Sequence, residues 1–345
     1  MVVAMITRAR APLRLGLAGG GTDLSPYCDE FGGAVLNCTI DRFAYAFIAD
    51  RDDGKVAFLA HDLGRRETLD LAEVNSASLA LHRGVYQRIC RMFNGGHPLP
   101  LTITSTVDVP AGSGLGSSSA LVVAMVDALR VHLDLPLGQN DVAHLAFEIE
   151  RIDLGLSGGK QDQYAAAFGG INFIEFLADD RVVVNPLRVP SRYVNELETS
   201  LVICFSGQSR ESAAIIDQQT AGMTSHLSAT VDALHELKAD AIEMKRAIFQ
   251  GHVQEIGRIL SRSWIAKKAT ARGVTNSHID GIYDLAMRNG ALGGKVSGAG
   301  GGGFMMFVVR PDDRLGLLGA LNESACKASP VKFMHEGCET WQIAQ

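Results

Sequence analysis

One stretch constrains this chain more than any other: Pro110-Ala111-Gly112-Ser113-Gly114-Leu115-Gly116-Ser117-Ser118-Ser119-Ala120. A strand-like run, Leu101 to Val107, precedes it. An apolar run, Leu121 to Leu129, follows and is long enough for a buried helix. A glycine-rich turn that opens a helix aims several free backbone N–H groups at one point. The helix dipole adds partial positive charge there, so the place suits a phosphate group. Three glycines let the backbone approach an anion that a Cβ would hold off. Ser117, Ser118 and Ser119 add hydroxyls for phosphate oxygens or for a phosphate-bound Mg²⁺. Ser117 stands where the dinucleotide fingerprint needs its third glycine, and no lysine follows the last glycine as a Walker loop requires. Read locally, the stretch is either an anion cradle or a tight, flexible turn.

Composition narrows the classes. The chain has 345 residues, enough for about two domains. Hydrophobic residues make up 47% and charged residues 20%, which supplies a sizeable core. A formal net charge of −6 argues against a nucleic-acid partner or an acidic membrane surface. The six cysteines show no CxxC pair and sit in apolar surroundings, which reads as buried free thiols in a reducing cytoplasm. Arg8 and Arg10 follow the first short apolar run instead of preceding it, so no signal-peptide pattern is read. No segment approaches the length of a membrane span.

Along the chain, residues 2–7 read as an edge strand. The alternation around Arg14 reads as a second strand, ended by Gly19 to Gly21. Asp23 after that turn is either a cap or a hydroxyl-binding carboxylate. Ala34 to Ala49, Lys55 to Ala60 and Glu67 to Leu71 read as strands. Leu79 to Phe93 has helical spacing and stops at Asn94-Gly95-Gly96. Asp141 to Ile152 reads as a helix. It ends in Ser157-Gly158-Gly159-Lys160-Gln161-Asp162-Gln163, a loop dense in ionisable groups, and a new helix begins there. Such a loop is either a solvated loop with caps at Ser157 and Asp162 or a carboxylate–lysine site for phosphoryl chemistry. Ile171 to Leu177 and Arg181 to Val189 read as a closing hairpin. The boundary is expected near Pro190, dividing residues 1–189 from 190–345. Beyond it come a short buried strand at Leu201 to Phe205, a polar turn with Arg210, helical patterns over 211–270 and 276–289, and a glycine cluster from Gly293 to Gly303. The apolar run Phe304 to Val309, a helix near 313–326 and strands near Val331 and Thr340 finish an α+β chain.

Three glycine-rich stretches thus stand in a fixed order: Ala11-Pro12-Leu13-Arg14 through Asp23, Pro110 to Ala120, and Lys295-Val296-Ser297-Gly298-Ala299-Gly300-Gly301-Gly302. In this the chain resembles the GHMP small-molecule kinases. The resemblance implies an α+β fold: an N-terminal domain like domain 2 of ribosomal protein S5 and a ferredoxin-like C-terminal domain, with ATP between them. Within the family, the Gly19-Gly20-Gly21-Thr22-Asp23 turn and the loop from Ser157 to Gln163 are most similar to the bacterial branch that phosphorylates D-glycero-D-manno-heptose 7-phosphate. Galactokinases carry a glutamate where this chain has Gly20. Other sugar 1-kinases, galactokinase- or fucokinase-like, remain the alternative, and a catalytically silent sugar sensor on the same fold is a third.

The resemblance also implies roles. ATP phosphates would lie on Pro110, Gly112, Ser113, Gly114, Leu115, Gly116, Ser117, Ser118 and Ser119. Mg²⁺ would be held by Ser118 and Glu150, with Glu148 the weaker candidate. Asp162 would be the base, with Arg14 and Lys160 stabilising charge in the transition state. Gly20, Gly21, Thr22, Asp23, Arg210, Gly298 and Gly300 would surround the sugar. A substrate that already carries a phosphate needs a second cationic pocket, for which Arg210 and Lys160 are the candidates. The implied partners are ATP and a sugar phosphate, with no nucleic acid and no membrane, and a homodimer is left open. The three carboxylate and hydroxyl positions Asp162, Glu150 and Ser118 are all present, which favours an enzyme over a sensor. A dehydrogenase reading lacks the glycine fingerprint.

Overall fold

The computed structural model describes residues 5–208, 213–225, 227–324 and 326–344. The first half begins with a single long strand, β1 (Met5–Ala18), which joins the described part of the first stretch, from Met5, to the stretch around Arg14. After α1 (Tyr27–Phe31), β2 (Gly33–Asp50) runs back antiparallel along it. Pro12 in mid-strand has no N–H to give the ladder, and the register slips between Pro12 and Leu13. Just past that slip the Arg14 amide donates to the Leu115 carbonyl, at 3.0 Å. β3 (Lys55–Ala60), β4 (Arg65–Asp70), α2 (Ala80–Phe93) and β5 (Leu101–Val107) follow. β5 pairs with the second half of β2 and lies parallel to β3.

The glycine loop then leads into α3 (Ser117–His132). Every residue of α3 from Ser119 to Leu129 is buried, because the sheet covers one side and α2, α4 (Gln139–Glu148) and α5 (Gln161–Phe168) cover the others. That explains an apolar run with no polar stripe. β6 (Ile171–Phe176) pairs with the first half of β2, and β7 (Val182–Pro186) pairs with β6.

The expected boundary falls between β7 and α6 (Ser191–Ser200), a helix the sequence pattern did not suggest. β8 (Leu201–Phe205), α7 (Ala213–Thr224), α8 (Ser228–Gln250) and α9 (Val253–Thr270) come next. The helical pattern over 211–270 is therefore interrupted twice, after Thr224 and at Gly251-His252, where Gly251 is left-handed. α10 (Ser277–Arg288), β9 (Ala291–Val296), β10 (Phe304–Val309), α11 (Arg314–Glu323) and β11 (Lys327–Pro330) complete an antiparallel sheet in the order β11-β8-β10-β9. All six residues of β10 are buried, as both faces of this sheet are covered. Phe304, Met306 and Val308 join the main core, while Met305, Phe307 and Val309 join a second one with Ile279, Ile282 and Leu317. The last strand, β12 (Glu339–Ala344), crosses back and pairs with β1. The chain's end therefore belongs to the first sheet, although it lies beyond residue 190.

The two halves meet through their glycine loops. The Phe304 amide donates to the Ser113 carbonyl at 2.8 Å, and a Cβ built on Gly303 would lie 2.4 Å from that same oxygen. Gly54, in the β2–β3 turn, has a similar positive φ but open space around it. Gly54→Ala is therefore expected to cost about 1 kcal/mol, the backbone penalty alone. Gly303→Ala adds a clash with backbone and should cost about 3 kcal/mol or more. Urea unfolding of the two variants checks this, and equal losses would remove the loop contact as a constraint.

Candidate active site

Arg14 organises the cleft between the halves. Its Nε and Nη2 each lie 2.7 Å from Asp162 Oδ1, while Nη1 donates to the Gly114 carbonyl at 2.6 Å and to Ser297 Oγ at 3.3 Å. One guanidinium thus ties together a carboxylate on α5, the loop before α3 and the loop after β9. A planar fork of five N–H donors can do this; a lysine cannot. Asp162 sits in the first turn of α5, where the dipole favours a negative charge. It faces the N-terminus of α3 across Gly116, whose φ is 74° and whose Cβ, if present, would lie 3.2 Å from the carboxylate.

Glu150 lies in a wide turn that continues α4. The Leu154 amide reaches back to the Ile149 carbonyl, 3.0 Å away, five residues earlier. Such widened turns re-aim side chains and recur at functional sites. Here the turn drives Glu150 inward, to 1% exposure. Ser118 Oγ donates to its Oε1 at 2.9 Å, and Gln163 Nε2 donates to Oε2. Glu148 faces the other way and pairs with Arg88 at 3.2 Å. Of the two glutamates, Glu150 is the one at the start of α3.

These groups line a cavity of about 540 Å³. Of the residues the sequence put forward, Arg14, Gly20, Gly21, Asp23, Gly112, Gly114, Gly116, Ser117, Ser118, Ser119, Glu150, Asp162 and Gly298 line it. Others do not. Pro110 stands outside the wall and, being proline, has no N–H to offer. Leu115 is a core residue, and Ser113 is sealed beneath the loop that follows β9. Thr22 is buried as a turn staple, its hydroxyl donating to the Gly19 and Ala34 carbonyls. Gly300 packs against Val274. Lys160 is the largest correction: its ammonium points away from the cavity, pairs with Asp180 and lies over the Phe147 ring. Burial alone would lower its pKa, but the Asp180 carboxylate outweighs burial and raises it. Arg210 lies outside the described residues.

Of the two readings the sequence left open for Asp23, the structure shows the cap. Its carboxylate accepts from the Gly21 amide, the Gln161 amide and Gln161 Nε2, each at 3.1 Å, so it caps its own turn and the start of α5. It also borders the cavity.

Two cations in the wall, Lys267 on α9 and Lys295 on β9, carry no role that the sequence pattern reveals. Lys267 Nζ donates to the Gly20 carbonyl at 3.2 Å, and Lys295 Nζ to the Leu17 carbonyl at 3.4 Å. Burial lowers Lys295 to about 7; Lys267 and Arg14 push the same way and Asp240 opposes them. A folded-state pKa below the ordinary lysine value means the native state is penalised wherever the ammonium is charged. That penalty is complete below about pH 7 and fades as pH rises toward the unfolded value of 10.5. Lys295→Met is therefore expected to be more stable than wild type below neutrality, with the advantage shrinking between pH 7 and 10. Unfolding free energies measured across that range check it; a difference flat with pH would contradict it.

Residues 80–170 match the GHMP kinases N terminal domain, and residues 244–325 match the GHMP kinases C terminal domain. The chain is 42% identical over 338 residues to the D-glycero-alpha-D-manno-heptose 7-phosphate kinase of Campylobacter jejuni, covering 97% of this chain and 99% of that protein. It is 26% identical over 336 residues to the L-fucokinase/L-fucose-1-P guanylyltransferase of Bacteroides fragilis, covering 88% of this chain and 35% of that protein. The crystal structure of a D-glycero-D-manno-heptose 1-phosphate kinase from Bacteroides thetaiotaomicron superposes with a TM-score of 0.83 at 42% identity, over 98% of this chain and all of that one. These matches and the site they enclose show that the chain belongs to the GHMP kinases and is a phosphotransferase.

Proposed function

We propose that the chain transfers the γ-phosphate of ATP to the anomeric hydroxyl of D-glycero-D-manno-heptose 7-phosphate. The arrangement that carries the reaction type is the Arg14–Asp162 pair, set between the α3 loop and the Gly20–Asp23 turn. The sugar is suggested by the Campylobacter relative. In the reaction the bond from the sugar oxygen to the γ-phosphorus forms and the bond to the β–γ bridging oxygen breaks. The hydroxyl proton passes to Asp162. Arg14 binds Oδ1 twice, which leaves Oδ2, the oxygen facing Gly116, to take that proton. The free amides at the start of α3 hold phosphate oxygens in a site that closes between two domains.

Mg²⁺ fits the remaining groups. Ser118 Oγ and Glu150 are hard oxygen donors beside the phosphate loop. Among the described residues there is no cluster of three or more His, Cys, Asp or Glu that could hold a metal. A cation that takes one carboxylate, one hydroxyl and substrate phosphates matches that supply. Bound there, Mg²⁺ offsets charge on the transferring phosphate. Gln163 would fix the orientation of Glu150 from behind.

Three measurements test this reading. Asp162→Asn should lower kcat by about 10² or more while ATP binding, read by titration calorimetry, stays near wild type. A variant with wild-type kcat would remove Asp162 from the mechanism. Glu150→Gln should raise the Mg²⁺ concentration for half-maximal rate by about tenfold or more; coincident Mg²⁺ titrations would leave Glu150 a structural partner of Ser118. For the substrate, kcat/KM is compared for the heptose, its 7-phosphate, its 1-phosphate and galactose. The 7-phosphate should be preferred over the free heptose by about 10³. A preference for the 1-phosphate or for galactose would overturn the substrate and leave the family intact.

A further inference from the structure

Of the two residues expected to hold a second phosphate, Lys160 points away from the cavity, and Arg210 lies outside the described residues. We propose that Lys267, at the Gly20–Gly21 end of the cavity, recognises the phosphate that the substrate already carries, with Lys295 behind it adding to the field. This inference rests on the substrate reading above and names the subsite that reading requires.

The first observation is how the cavity's cations are spent. Arg14 is committed to Asp162, Gly114 and Ser297. Arg151 donates to the carbonyls of Leu156, Ser157 and Gly159 and so holds up the loop before α5. Lys267 has three N–H donors and, among the described residues, uses one, on the Gly20 carbonyl. Among the described residues no carboxylate lies within ion-pair distance of Lys267 or of Lys295. Asp23 is the carboxylate whose field reaches Lys267, and its oxygens are engaged by Gly21 and Gln161.

The second observation is burial. Lys267 is 4% exposed. A buried ammonium without a counter-ion destabilises the fold, and an apolar residue of the same size would do better there. Consistent with that, burial pulls Lys267 down to about 8, Asp23 opposing and Arg14 reinforcing. A cost of this kind is offset when an anion arrives.

The third observation is room. A Cβ built on Gly20 would lie 3.9 Å from Lys267 Nζ, and one on Gly21 4.0 Å. Any longer side chain at either position would fill the space beside the ammonium, and an acidic one would pair with it. Two glycines instead leave the spare donors facing the cavity. Ile216 and Gln219 of α7 close the same end. Asp162 and this end therefore border one cavity, so a sugar could present a hydroxyl to the first and a phosphate to the second.

The test is Lys267→Met, with Lys267→Arg as the conservative control. The wild-type preference for heptose 7-phosphate over free heptose, about 10³, should fall to within tenfold in Lys267→Met. The loss should appear in KM for the phosphorylated sugar, with KM for ATP unchanged, and Lys267→Arg should recover part of it. Equal losses on both sugars would put Lys267 at the reacting centre and overturn the subsite, as would an unchanged preference. A second readout does not depend on the sugar: with ADP saturating, inorganic phosphate should raise the Tm of wild type and not of Lys267→Met. Equal rises would also overturn the subsite. If wild type shows no preference for the 7-phosphate but keeps the Lys267-dependent rise in Tm, the substrate reading fails and the anion subsite stands.

Discussion

The contact on which the cleft depends is the single guanidinium of Arg14. It reaches Asp162 on α5, the Gly114 carbonyl before α3 and Ser297 after β9. These belong to three stretches far apart in sequence and to both halves of the molecule. A buried guanidinium needs its donors satisfied, and here two of the partners that satisfy it, Asp162 and Gly114, line the cavity. Structural and chemical demands therefore fall on one side chain, and the loops cannot move independently of the carboxylate they serve.

The rest of the fold supports that contact. β1 carries Arg14 in a strand buried on both faces, and past the slip at Pro12 Arg14 stays paired with Thr39 of β2 while its amide donates to the Leu115 carbonyl. α3 is enclosed on all sides, so its N-terminus is held rigidly and its free amides point at a fixed place. The Gly303–Ser113 contact brings the second sheet against the glycine loop before α3. β12 returns to β1 and pins the chain's end to the first sheet. Preorganisation of this kind matters for phosphoryl transfer, where positioning and charge do most of the work and little covalent help is needed.

Charge is arranged unevenly along the cavity. At the α3 end, Glu150 and Ser118 gather oxygen atoms suited to a hard cation. At the Gly20 end, two lysines sit buried without carboxylate partners among the described residues. Asp162 and Arg14 stand between these ends. Such a layout accommodates an acceptor and a donor that are both anionic, since each would meet a different set of positive groups.

Much of this was legible in the sequence, for local reasons. The α3 loop could be read because glycines, serines and a following apolar run must occur together in the chain to make a helix-opening anion site. The order of three glycine motifs pointed to the family, and Asp162, Glu150, Ser118 and Arg14 stand at the cavity. Asp23 could not be resolved between cap and ligand, because its partner Gln161 is 138 residues away. Other features depended on direction and enclosure, which spacing does not record. Lys160 belongs to the same loop as Asp162 yet turns toward Asp180. Lys267 looks like any polar residue of an amphipathic helix until α9 docks beside the Gly20–Gly21 turn. Composition and local pattern determined most of the elements, the glycine loop before α3 and the carboxylates that stand at the cavity. Only the packing of the two halves decided which cations face the cavity, because burial and charge pairing are properties of the assembled fold.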